Sequence, residues 1–204
     1  MEGLGQTLPP YAYPAEPHTR RHGPSGYTDY HSYRPWLEDE FFFRCVYCLK
    51  RMVWAPAEVW AVDHLISQAK AQELECEYTN LVLVCPFCNG QKGPNGVPDP
   101  CEVAYGKCLR VESDGRVTPF NAPGHRLVKV LGLNHEKQIA ERRKQIRILE
   151  VLAIHNRGWY EQLMGFPAEL PDLRKLNPPN NRRPEGVSES CHAKRQRGEL
   201  PTIY

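Results

Sequence analysis

Apolar and polar positions follow several different rhythms along the chain. Val59-Trp60-Ala61-Val62 is a short apolar run that breaks off at Asp63-His64, and Leu81-Val82-Leu83-Val84 is a second, entered from Asn80 and left at Cys85. Both runs are too short for an ordinary helix and predict buried strands, the first delivering Asp63 and His64 to its exposed end. Pro86 suits the first turn of a helix directly after the second run, and Gly90 and Gly93 keep that helix short. The local shape predicted is strand, strand, helix.

Downstream, Leu109-Arg110-Val111-Glu112 and Arg116-Val117-Thr118 flank Asp114-Gly115, a two-residue turn signal that predicts a hairpin. Residues 126–131 read as a further strand. From His135 onward Ile139, Ile146, Leu149 and Leu152 or Ala153 recur at helical spacing, with Asn134 as the expected cap and Glu136 in the first turn. That apolar face packs on the core and turns Arg143, Lys144 and Arg147 outward. The ends lack such periodicity. Residues 1–33 are rich in Pro, Tyr, Gly and His and are expected to be flexible, with Tyr33-Arg34-Pro35-Trp36-Leu37 joining the fold and Phe41, Phe42 and Phe43 in the core. Residues 167–204, with Arg182-Arg183 and Lys194-Arg195-Gln196-Arg197, read as a disordered basic tail.

Cysteine spacing turns this outline toward metal chemistry. Of the eight cysteines, Cys45/Cys48 and Cys85/Cys88 form two Cys-x-x-Cys pairs, each placing two soft sulfur ligands on a tight turn. Two such turns facing each other make a tetrahedral zinc cage, and the long gap between them leaves room for a site. Disulfides or ordinary buried thiols are the alternatives. No apolar signal segment is visible near Met1, which predicts a reducing, cytoplasmic setting and favours zinc. Cys76, Cys101, Cys108 and Cys191 follow no pair pattern and read as buried or free thiols. No stretch is apolar enough to span a membrane.

Net charge is only +2 over 204 residues, but it is unevenly spread. Glu58, Glu73, Glu75 and Glu77 make the middle acidic, while Arg126, Lys129, Lys137, Arg142, Arg143, Lys144 and Arg147 concentrate after it. A basic face of this kind is usually a solvated surface; its other reading is a stripe for nucleic-acid backbone.

Taken in order, Cys45-x-x-Cys48, Asp63-His64, Asn80-Leu81 and Cys85-x-x-Cys88-Asn89-x-x-Lys92-Gly93 resemble the HNH nucleases, the zinc-bearing branch of the ββα-metal or His-Me finger group. The resemblance covers roughly residues 40–98. It implies His64 as the general base that activates water, Asp63 and Asn89 as ligands of one divalent cation such as Mg2+ or Mn2+, and Asn80 as a brace for the loop between the strands. Asparagine stands at the third signature position, often histidine, and its amide oxygen suits a hard cation. Lys92, three residues beyond Asn89, falls on the same helical face and is a candidate to neutralise a phosphate. The chemistry is coherent: hydrolysing an anionic phosphodiester needs positive charge on the phosphate, an activated water and a stabilised leaving alkoxide.

The expectation is therefore an α+β protein: a zinc-clamped HNH core over residues 34–98, an α+β extension with a hairpin and a basic helix over 99–166, and flexible ends at 1–33 and 167–204. Its expected activity is metal-dependent endonucleolytic hydrolysis of DNA, a chemistry that serves RNA equally well. A looser resemblance of the extension to small bacterial HNH proteins, some tied to anti-phage defence, points to a partner protein in a defence complex. The competing readings are a non-catalytic zinc module that binds nucleic acid or protein, and an interaction subunit that keeps the nuclease fold and works only inside a complex.

Overall fold

The computed structural model of the chain describes residues 7–204; residues 1–6, the start of the segment expected to be flexible, lie outside that range. Helix α1, Arg34–Glu40, carries Pro35 in its first turn and buries Trp36 and Leu37. The chain reverses through Phe42 and Phe43, both in the left-handed region at φ 53° and 56°, and enters a tight hairpin closed by the Arg44–Arg51 bridge. Cys45 and Cys48 occupy its loop, where the Cys45 amide donates to the Lys50 carbonyl at 2.9 Å.

Strands β1, Ala61–His64, and β2, Leu81–Val84, pair antiparallel, with Ala61 opposite Val84 and His64 opposite Leu81. Every residue of β2 is buried, so its register is fixed by packing on both faces. That register moves β1 two residues past the apolar run. Asp63 and His64 are thus inside the ladder and buried, not displayed beyond its exposed end. The Val46 amide donates to the Leu83 carbonyl at 3.1 Å, which attaches the first cysteine turn to β2. Helix α2, Pro86–Lys92, follows immediately and is as short as its glycines predict.

A second antiparallel pair, β3 (Leu109–Val111) and β4 (Val117–Pro119), forms the expected hairpin with a longer turn. Glu112 and Arg116 still bond across it, and Gly115 takes φ 86°. A Cβ on Gly115 would stand 2.4 Å from the Ile139 carbonyl oxygen, so glycine is required where the hairpin touches the next layer. Residues 126–131 are not a strand: they belong to α3, Ala122–Val130, and its C-cap. Asn121 caps that helix through the Gly124 amide (3.0 Å), and Leu127 and Leu131, four apart, bury one face.

Helix α4, Glu136–His155, is capped by His135, whose Nδ1 accepts from the Lys137 amide at 3.3 Å. The expected cap, Asn134, instead accepts from the Val117 amide and donates to the Val117 carbonyl, both at 2.8 Å, substituting for a strand along β4. Ile139, Ile146 and Leu149 are buried as the spacing predicts, and so is Arg142. Its Nε donates to the Gly115 carbonyl at 2.7 Å and its Nη2 to the Leu133 carbonyl, so it belongs to the interior and not to the basic surface. Helix α5, Arg157–Met164, packs beside α4 through Tyr160 and Met164.

Neither end behaves as its composition suggests. Residues 7–33 run as a strap over the core: Tyr11 packs with Leu49 and Ile146, and the Tyr13 hydroxyl donates to the Tyr47 carbonyl at 2.8 Å. Residues 167–204 are likewise seated, with Leu173 in the main core and a final helix, α6 (Cys191–Gln196), whose first amide donates to Asp39 Oδ2 at 2.7 Å. Aromatic rings and hydrogen bonds fix these segments without any repeating pattern. Among the described residues, no helix is long and apolar enough to cross a membrane.

Candidate metal centre and active site

The two cysteine turns meet. The Sγ atoms of Cys45, Cys48, Cys85 and Cys88 all lie within 4.8 Å of one another, and all four residues are buried. Cys48 and Cys85 sulfurs are 3.6 Å apart, far beyond a disulfide bond and close to the edge of about 3.8 Å that four Zn–S bonds of about 2.3 Å give a tetrahedron. The donor set therefore fits zinc. Hydrogen bonds from the other three thiols hold Cys85 far below the usual thiol value, whereas burial pushes Cys45 up and hydrogen bonding to its neighbours pushes Cys88 up. A cation bound among the four sulfurs would favour the thiolate form of all of them.

Beside the cage, β1 carries Asp63 and His64, with 8 % and 7 % of their surfaces exposed. Asp63 Oδ1 accepts from the Lys92 ammonium at 3.0 Å and Oδ2 from the Tyr47 hydroxyl at 3.2 Å. Burial raises the Asp63 carboxyl above its ordinary value, even against the Lys92 charge and the Tyr47 hydrogen bond, which pull it down. One ammonium does not fully repay the carboxylate for its lost water. Lys92 also donates to the His64 carbonyl at 2.6 Å, so the last residue of α2 ties down the end of β1. It is only 1 % exposed. This corrects the expectation of a lysine facing a substrate phosphate: the side chain is turned inward to the carboxylate.

The His64 imidazole is oriented by a backbone group. Its Nε2 stands 2.9 Å from the Glu75 carbonyl oxygen, and the Tyr30 ring packs edge-on against it with centroids 4.7 Å apart. A carbonyl can only accept, so Nε2 carries the proton and Nδ1 keeps the lone pair. The neighbour of Glu75, Leu74, is held in turn by Asn80. The Asn80 amide accepts from the Ile66 amide at 2.8 Å and donates to the Ile66 and Leu74 carbonyls at 3.1 and 3.2 Å, knitting together the loop between β1 and β2.

Asn89 lies one helical turn before Lys92 and therefore on the same face of α2. It is exposed, and its side chain makes no hydrogen bond among the described residues, which leaves its amide oxygen available to a cation. An Asp carboxylate and an Asn amide offer the hard oxygen donors that magnesium or manganese take. Arg143, Lys144 and Arg147 are exposed on α4; the Arg143 Nε is engaged by the Asp114 carbonyl at 2.9 Å.

Sequence reasoning missed Tyr30, Tyr47 and the Glu75 carbonyl. Tyr30 lies in a stretch without pattern, Tyr47 occupies an unspecified position between Cys45 and Cys48, and a backbone carbonyl leaves no signal in residue type. Two cavities of about 580 and 490 Å³ are lined by other residues, the first by Met52, Trp60 and Leu163, the second by Pro14, Phe41 and Val103. Residues 45–95 match the family model of the HNH endonuclease. No curated protein matches the chain.

Proposed function

We propose that the protein is a metal-dependent endonuclease that hydrolyses phosphodiester bonds of DNA, a reading supported by the match of residues 45–95 to the HNH endonuclease family and by the four-cysteine cluster within them. The cage of Cys45, Cys48, Cys85 and Cys88 holds zinc and fixes α2 against the first cysteine turn. Asp63 and Asn89 hold a divalent cation, magnesium or manganese, which when bound supplies positive charge to the phosphate and the leaving oxygen.

The chain's own residues do the rest. His64, fixed by the Glu75 carbonyl, receives the proton of the attacking water at Nδ1 as general base. Asn80 keeps the Glu75 segment in place and so sets the ring's direction. Arg143, Lys144 and Arg147 attract the phosphate backbone, which carries no sequence preference. The observation that carries this reading is the oriented His64 ring directly after Asp63, within a domain matched to nucleases.

One observation favours the non-catalytic zinc module: Asp63 already has Lys92 as its partner, and only a small part of His64 is accessible. A plasmid assay separates the two. The zinc-loaded protein is expected to nick with Mg2+ or Mn2+, and His64→Ala to slow nicking by about 10²- to 10⁴-fold. A folded, zinc-loaded chain that cuts under no cation would establish the binding module. Undiminished cutting by His64→Ala would remove His64 as the base.

A further inference from the structure

The buried charge at the end of α2 has a meaning of its own. An ammonium stays ionised out of water only where acceptors surround it, and Lys92 has two: Asp63 Oδ1 at 3.0 Å and the His64 carbonyl at 2.6 Å. Both belong to consecutive residues of β1. The carboxylate's other oxygen is taken by Tyr47, which is itself completely buried. Asp63 is therefore neutralised and aimed by groups of the chain alone.

We propose that Lys92 is a resident counter-ion of the centre: a positioning residue whose ammonium holds the Asp63 carboxylate in place and competes for it with the divalent cation. The inference rests on the reading of Asp63 as a cation ligand. A fixed positive charge beside the carboxylate repels an incoming cation, so binding is weakened by the same group that preforms the site. The end of β1 and the end of α2 stay joined with or without the ion. Cation affinity is thus traded for a centre already assembled when nucleic acid arrives.

The test uses the full zinc-loaded chain and Mn2+, with free Mn2+ followed by electron paramagnetic resonance and stability by thermal unfolding. Lys92→Met keeps most of the stem and removes the charge. It is expected to melt lower than the parent without Mn2+, to bind Mn2+ about tenfold tighter or more, and to regain stability on binding. Adding Asp63→Asn should abolish that Mn2+-dependent gain. Lys92→Gln, which retains a donor without charge, carries the same expectation if the methionine variant does not fold. Equal or weaker Mn2+ affinity in the uncharged variants overturns the inference while leaving Asp63 as a ligand. Failure of both parent and variants to bind Mn2+ overturns the ligand assignment itself, and the inference with it.

Discussion

The cysteine centre and the N-terminal strap both bury polar groups against the same core, but they balance them differently. The centre gathers four cysteine sulfurs from two short turns, a donor set that fits zinc. The strap brings His18, Arg21 and His22 onto two neighbouring carboxylates of α1. Asp39 meets Arg21 Nη2 and His22 Nε2, each at 2.8 Å; Glu40 meets His18 Nε2 at 2.7 Å, the Arg21 amide at 2.8 Å and the Tyr78 hydroxyl at 2.9 Å. Both carboxylate side chains are fully buried. The centre is consequently governed by metal supply and the strap by protons.

Removing zinc is the larger perturbation. Structural zinc sites are worth about 10–16 kcal/mol of apparent binding free energy, which is folding free energy where the site does not exist in the unfolded chain. Cys85→Ser is expected to lose zinc and to melt the β1–β2–α2 unit, since Cys85 joins β2 to α2. Metal analysis and near-ultraviolet circular dichroism check this. Unchanged zinc content and unfolding temperature in Cys85→Ser would remove the cage.

Acid is expected to act on the strap with a smaller, separable effect. Burial alone would raise Glu40, but hydrogen bonds from His18 and the Arg21 amide, with the charge of His18, bring it down to about 2. Asp39 is lowered too, against burial, by the His22 hydrogen bond and the Arg21 charge. A depressed carboxyl contributes stability that is complete above its ordinary value of 4.5 and lost as pH falls toward about 2. For Glu40 this amounts to about 3 kcal/mol. Comparing the parent with Glu40→Gln cancels whatever acid does to the thiolates. Their difference in urea-unfolding free energy should shrink by about that amount between pH 6 and pH 2, and a constant difference would count against the Glu40 pairing with the strap.

These two regions also mark what residue patterns reveal. The cage, β2 and α2 were legible because each depends on local spacing: Cys-x-x-Cys turns, a continuous apolar run, a proline at a helix start. The same holds for Ile139, Ile146 and Leu149 on α4. The interior place of Arg142, counted only among the basic residues of its segment, left no signal because its acceptors are the Gly115 and Leu133 carbonyls, 27 and 9 residues away, and carbonyls are identical in every residue. Lys92 was misread for a related reason, its partner Asp63 being 29 residues off. The strap failed most completely. Its order comes from single long-range pairings such as Leu8 with Tyr160, 152 residues apart, and no window of sequence contains both. Asn134 and residues 126–131 failed through competition, a strand-like asparagine and a well-capped helix overriding the simpler choice.

The smallest expected effect concerns α4, where the exposed and buried arginines can be set against each other. Arg143, Lys144 and Arg147 are exposed, and of their side chains only that of Arg143 has a backbone partner among the described residues. Replacing all three with alanine should change stability by no more than about 0.5 kcal/mol per site. If each neutralises one phosphate, the slope of log affinity against log salt should fall in magnitude by about 2.7, three contacts at about 0.9 each. Fluorescence anisotropy with a duplex oligonucleotide over a salt series measures that slope. Arg142→Ala should do the reverse, lowering the unfolding temperature by leaving two buried carbonyls without a donor and keeping the salt slope of the parent. An unchanged slope in the triple variant would move the backbone-binding surface away from α4 and leave its charges as an ordinary solvated face.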